Sequence, residues 1–270
     1  MTQTVHELVD IGVNLVHKRF AKDREQVLQH AREAGVTQMI VTGTDTASSE
    51  AAAELCEAHP GTLFSTAGVH PHNADAWNSD MRRHIAGLGG TAAVVAIGEA
   101  GLDFNRNFST PANQEKAFAA QLEIAAELSL PVFLHQRDAH ERFMAIIREY
   151  RDHLVGGVAH CFTGGRDELW PYLDAGLHIG VTGWICDERR GGPLRDCVGD
   201  IPADRLMIET DAPFLTPRDL SPKPRGGRNE PAFLPHVLEA VARHAGRPLD
   251  QVARESTDVA RRFFRLPAPA

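Results

Sequence analysis

Four short apolar stretches each end abruptly in a side chain that can bind a metal or move a proton. Val94 to Gly98 lead into Glu99, Val132 to Leu134 into His135, "GGVA" into His160, and "RLMI" into Glu209 and then Asp211. Runs of Val, Ile and Ala suit strands buried on both faces, and a charge at the end of such a strand needs a partner or a route to solvent. Two neutral imidazoles with two carboxylates, Glu99, His135, His160 and Asp211, suit a divalent cation and leave positions open for water and substrate. Taken singly, each residue also fits a solvated loop acid or a hydrogen-bonded core histidine. Four at the same place relative to their strands fit a shared site better.

The elements that must position them alternate along the whole chain. Strand-like runs lie at Leu8 to Val13, Gln38 to Thr42, Leu63 to Gly68, Val94 to Gly98, Val132 to His135, Gly157 to His160, His178 to Val181 and Leu206 to Ile208. Between them, segments such as "DREQVLQHAREAG" and "NQEKAFAAQLEIAAELS" place apolar residues at helical spacing. Eight strand-helix units in 270 residues match the ~250 residues of a (β/α)8 barrel, an α/β TIM barrel. No composition break divides the chain, so residues 1–270 read as one domain. An open doubly wound sheet is the competing architecture, but no glycine-rich nucleotide fingerprint follows the first strand. In a barrel, residues at the C-terminal ends of strands line one mouth, which is where all four candidates fall.

Composition narrows the function classes. A formal net charge of -8 argues against a protein that coats nucleic acid electrostatically, but not against an enzyme gripping a few phosphates through metal and local arginines. No basic apolar leader and no bilayer-length apolar run occur, which predicts a cytoplasmic protein without membrane partners, and no obligate protein partner is evident. The cysteines Cys56, Cys161, Cys186 and Cys197 form no CxxC pair and read as reduced thiols.

The stretches "DIGVNL", "STAGVHPH", "VVAIGEAGLDFNRNFSTP", "HQRDAHERF", "HCFTG", "VTGWICDERRG", "IETDAPFL" and "RNEP" together closely resemble the TatD family of metal-dependent nucleases. The resemblance runs from Asp10 to the C-terminal helices. It implies a barrel of the metal-dependent hydrolase superfamily and 3'-to-5' exonuclease action on single-stranded DNA or RNA ends. It also implies a divalent metal, usually Mg2+. Glu99, His135 and His160 match the family's metal ligands, and Asp211 its catalytic or metal-binding aspartate. Many relatives carry His-x-His on the first strand for a second metal. Gly12 and Asn14 stand there in this chain, so one protein-held cation is expected, with Asn14 touching water or phosphate and not metal.

The second His-x-His, His70-Pro71-His72, is interrupted by proline. The resemblance casts His70 as a substrate contact, with His72 reading equally as a loop residue. Arg137, two residues past His135, suits bidentate phosphate binding or a salt bridge to Asp138. Arg189, Arg190, Lys223, Arg225 and Arg228 form a basic rim or ordinary solvated loops, and Trp184 is the best candidate to stack on a terminal base. Glu99 and Asp211 carry the catalysis, Asp211 as the group that takes a proton from the attacking water. A metal-dependent amidohydrolase or lactonase on the same barrel and a non-catalytic metal-binding scaffold are the alternatives.

Overall fold

The computed structural model describes residues 5–268. Its strands are β1 (Leu8–Val13), β2 (Val36–Val41), β3 (Leu63–Ala67), β4 (Val94–Asp103), β5 (Val132–Arg137), β6 (Gly157–Ala159), β7 (His178–Val181) and β8 (Leu206–Ile208). The helices are α1 (Arg24–Glu33), α2 (Thr46–Ala58), α3 (Ser79–Gly89), α4 (Pro111–Leu128), α5 (His140–Tyr150), α6 (Arg166–Asp174), α7 (Gly192–Cys197), α8 (Leu234–Ala245) and α9 (Leu249–Phe264). The strands form one sheet in sequence order, β1 through β8, and Val13 bridges Ala212 in parallel at its ends. This is the (β/α)8 barrel expected from the alternation. Among the described residues no helix is long and apolar enough to cross a membrane.

The chain divides into two compact units, one of them Val41–His160 with Trp170–His178, the other the described part of Met1–Ile40, Cys161–Leu169 and Ile179–Ala270.

In the first of these units the informative departure from the sequence reading is β4. The glycine at Gly98 suggested a strand end, yet the strand continues to Asp103 and pairs β5 in the register Gly101 to His135 and Asp103 to Arg137. Gly98 and Gly101 have φ of 144° and 150°. A Cβ at either would run into the β5 backbone, at Phe133 and His135 respectively. Glycine therefore carries β4 close along β5 where any side chain would push the strands apart. The helix α4 begins at Pro111, where Thr110 caps the Asn113 N–H. Its buried Gln114 and Gln121 lie two turns apart on one face. Gln114 accepts the Asp103 N–H at 2.8 Å and donates to the Asp103 carbonyl at 3.1 Å, while Gln121 does the same for Val69, at 2.7 and 3.0 Å. Two amide side chains thus fix the backbone at Asp103 and immediately before His70.

In the other unit, β1 and β8 pack under α9, whose Val252, Ala253, Ser256, Val259, Ala260 and Phe264 repeat at helical spacing and are buried. The Asp211 N–H donates to the Gly12 carbonyl at 2.8 Å, and the Asn14 N–H to the Ala212 carbonyl at 2.7 Å. The long loop after β8 is held by buried Asn229, whose amide donates to the Thr210 and Phe214 carbonyls at 2.9 and 2.7 Å.

Candidate metal centre

Glu99 is 6% exposed, and a single one of its oxygens, Oε1, faces three imidazoles. His135 Nδ1 lies 2.7 Å from it, His160 Nε2 2.8 Å and His70 Nε2 3.4 Å. The Glu99 N–H is held by the Gly43 carbonyl at 2.8 Å, and His160 N–H by the Leu134 carbonyl at 3.0 Å, so strand pairing sets the positions of both side chains. Burial opposes the charge on Glu99, but His160 and His70 and the hydrogen bonds from His135 and His160 overcome it and hold the carboxyl well below its ordinary range. Glu99 is therefore an anion set in a ring of nitrogen donors.

The donor set fits a divalent cation. His135 Nε2 is buried without a hydrogen-bond partner, 3.6 Å from Asp103 Oδ2, and a ring so placed between two carboxylates can bind a cation once it gives up its proton. Within the same unit His70, Glu99 and His135 place ligand atoms within 4.8 Å of one another. The tautomer separates their roles. His70 Nδ1 accepts the His72 N–H at 3.0 Å, so in the neutral ring Nε2 carries the hydrogen and can donate but cannot ligate. Burial drives His70 down to about 3, which keeps that ring neutral at physiological pH. His70 is thus a hydrogen-bond donor aimed at Glu99, while His135 Nδ1 and His160 Nε2 hold the same oxygen at 2.7 and 2.8 Å through hydrogen bonds that a bound ion would replace.

Asp103, which the sequence reading passed over, supports the cluster. Its Oδ2 lies 2.7 Å from His72 Nε2, and its Oδ1 accepts the Asn105 and Arg106 N–H groups at 3.1 and 2.8 Å. Burial opposes its charge, yet these bonds and His135 hold it below its ordinary range. His135 in turn is raised: burial disfavours the imidazolium, but Asp103 and Glu99 outweigh it. The missed signal was "EAGLD", where strand alternation puts Glu99 and Asp103 on one face once the strand runs through both glycines. Arg137 ends β5 and is half-buried.

In the other unit Asp211, with a left-handed φ of 53°, receives the Asn14 amide on Oδ1 at 2.9 Å, so the two candidates from opposite ends of the chain meet. Glu209 is fully buried and accepts the Cys161 N–H. Trp184 is 7% exposed and one ring face carries the Arg190 guanidinium, 4.1 Å from the ring centroid. Arg190 is held by Asp187 at 2.8 Å, and burial notwithstanding, this partner and the loop N–H groups bring Asp187 down to about 2. A base can stack on that face of Trp184 only after Arg190 leaves. Phe214, 45% exposed, lines the same hollow with Arg19, Trp184 and Arg218, and its ring meets His17 edge-to-face at 5.4 Å between centroids. Of the expected basic rim, Arg228 is committed elsewhere, to Asp23 at 2.7 and 2.8 Å and to Glu230 at 2.7 Å.

The TatD related DNase family matches residues 9–265. A curated relative from Dickeya dadantii (strain 3937), named 3'-5' ssDNA/RNA exonuclease TatD, is 56% identical over 96% of this chain and 98% of its own length. Another with the same name, from Pantoea sp. (strain At-9b), is 54% identical over 96% of this chain and all of its own. Among solved structures, the TatD homolog YJJV from Escherichia coli K12 superposes with a TM-score of 0.89 at 26% identity, covering 98% of this chain and 100% of that one. With a family match along nearly its whole length and relatives more than half identical, the chain belongs to the TatD related DNase family.

Proposed function

We propose that this chain is a metal-dependent 3'-to-5' exonuclease that hydrolyses phosphodiester bonds at the ends of single-stranded DNA or RNA. The observation that carries the reading is the convergence of His135, His160 and His70 on Glu99 Oε1, in a chain over half identical to relatives named for that activity.

Glu99, His135 and His160 are the residues that hold the cation. A divalent ion bound there supplies Lewis-acid polarisation of a phosphoryl oxygen and acidifies water. Magnesium is the proposed ion, and it would draw most of its ligands from water and phosphate; imidazole nitrogens suit manganese or zinc at least as well, so the ions must be compared directly.

The chain's own groups do the rest. Asp103 fixes His72 and faces His135, so the ring of His135 is oriented before substrate arrives. His70, neutral and protonated on Nε2, turns that N–H from Glu99 to a phosphate oxygen once Glu99 holds the cation. Asp211, steadied by the Asn14 amide, takes the proton of the attacking water. Arg137 binds phosphate, Asn14 holds water or phosphate, and Phe214 receives the terminal base, joined by Trp184 once Arg190 leaves its ring face.

Purified protein incubated with end-labelled single-stranded DNA, RNA, and a panel of amides and lactones, with magnesium, manganese or chelator, tests the reading. Release of 5'-mononucleotides from labelled strands, abolished by chelator, is expected. Turnover of amides or lactones with intact nucleic acid would overturn it.

A further inference from the structure

Outside the Glu99 cluster, the described residues contain a second group with metal-ligating chemistry, and it shares no residue with the first. Cys186, Asp219 and His236 offer ligand atoms that all lie within 4.8 Å of one another. Cys186 ends a short 3₁₀ helix, Gly183–Cys186, that follows β7; Asp219 lies in the loop after β8; His236 is in the first turns of α8. Three segments far apart in sequence thus deliver one sulfur, one oxygen and one nitrogen to a single point.

We infer that Cys186, Asp219 and His236 form a second metal site, one that takes a thiophilic divalent ion such as Zn2+ with water as its fourth ligand.

The chemistry of the set carries this. A thiolate and a carboxylate match the charge of a divalent ion, and a neutral imidazole completes the mixed S, N, O set that tetrahedral zinc accepts. Hard magnesium has no preference for sulfur, so the two sites are chemically distinct. In the ion-free arrangement His236 Nε2 lies 2.7 Å from Asp219 Oδ1, and the Cys186 thiol also hydrogen-bonds to Asp219. Ligand atoms of a tetrahedral zinc stand about 3.3–3.6 Å apart. An ion therefore enters by replacing these two hydrogen bonds, with shifts of well under an ångström or so between His236 and Asp219. Asp219 and His236 are both about 30% exposed, at 31% and 27%, which leaves the ion a route in, while Cys186 is buried behind them. Burial, reinforced by Asp219, pushes the Cys186 thiol up to about 12, so the metal displaces a proton from sulfur into solvent on binding. Arg243, also on α8, stands 3.9 Å from the other carboxylate oxygen, Asp219 Oδ2.

The consequence is mechanical. The short helix that supplies Cys186 also carries Trp184, and the loop that supplies Asp219 carries Arg218, which pairs with Asp187 at 3.1 Å. An ion joining them to α8 would pin the walls of the hollow that Phe214 lines.

Cobalt is the probe, because a thiolate on Co2+ gives an intense near-ultraviolet charge-transfer band that His and Glu ligands do not give. Chelator-stripped full-length protein titrated with Co2+ should develop that band. The band should be lost in Cys186→Ser, be weakened in Asp219→Asn and His236→Gln, and be unchanged in Cys161→Ala and in His135→Ala. Absence of the band at saturating Co2+ in the unaltered protein would overturn the assignment. So would its survival in Cys186→Ser, or its indifference to both Asp219→Asn and His236→Gln.

Discussion

Replacing Asp10 with Asn should make the protein's stability less sensitive to a rise of pH from acidic to neutral. Asp10 is fully buried in β1, where Oδ1 accepts the Thr210 and Gly12 N–H groups at 2.9 and 3.3 Å and Oδ2 accepts the Thr210 hydroxyl. Burial outweighs these bonds and, helped by the charge of Glu209, raises the carboxyl from 3.8 to about 7. An acid whose folded value lies above its unfolded one binds its proton more tightly in the native state. Its stabilising contribution is complete below about 3.8 and is lost as pH rises through about 7. The full span corresponds to about 4 kcal/mol, of which roughly 2–3 kcal/mol falls between about pH 5 and about pH 8. Asparagine keeps the carbonyl acceptor for both N–H groups and can donate to the Thr210 hydroxyl, but it has no charge to bury. Urea unfolding of both proteins across that range should show the difference in stability moving in favour of Asp10→Asn by roughly 2–3 kcal/mol as pH rises. Parallel curves would refute the reasoning, since other titrating groups are common to both proteins.

Asp103→Asn should weaken divalent-metal binding by about 10–100-fold with an unchanged far-ultraviolet spectrum, because the amide keeps the Asn105 and Arg106 contacts but presents the wrong partner to His72 and His135. Calorimetric titration of the metal measures it, and unaltered affinity would remove Asp103 from the account. Phe214→Ala should raise KM for a single-stranded oligonucleotide about tenfold, the low end of the ~1–3 kcal/mol of a stacked base, with kcat preserved. An unchanged KM would show that no base rests there. Closed circular single-stranded DNA should persist while its linear form is trimmed, since end recognition is part of the reading; comparable loss of the circle would mean internal cleavage.

The barrel was legible because its strands are apolar runs of the right length and its helices are periodic; β1, β7 and β8 fall where the residues place them. The end of β4 was not, because glycine in a strand reads as a stop when no neighbour is known, and only the β5 backbone shows why Gly98 and Gly101 are needed inside it. Glu99, His135 and His160 stand out in the sequence as the polar residues that close apolar runs, although Glu99 and His135 lie inside β4 and β5 and only His160 directly follows its strand. Asp103 was hidden behind that false strand end. The tautomer of His70 was beyond reach for a different reason, since it depends on one backbone N–H, that of His72, turning onto Nδ1. The Gln114 and Gln121 amides look like ordinary helix polarity until the backbone they clamp is visible. Trp184 shows the converse: an aromatic residue after a strand invites a stacking role, while Arg190 already occupies its face.

The central claim is that Glu99 gathers His135 and His160 into the centre that holds the catalytic cation. Glu99→Gln tests it most directly, because the amide preserves shape and removes the anion that the imidazoles face. Magnesium and manganese binding isotherms of this variant, taken with its rate on an end-labelled single strand, are predicted to show loss of binding and a rate lower by at least about a hundredfold, with folding intact. Normal binding with a near-normal rate would contradict the account.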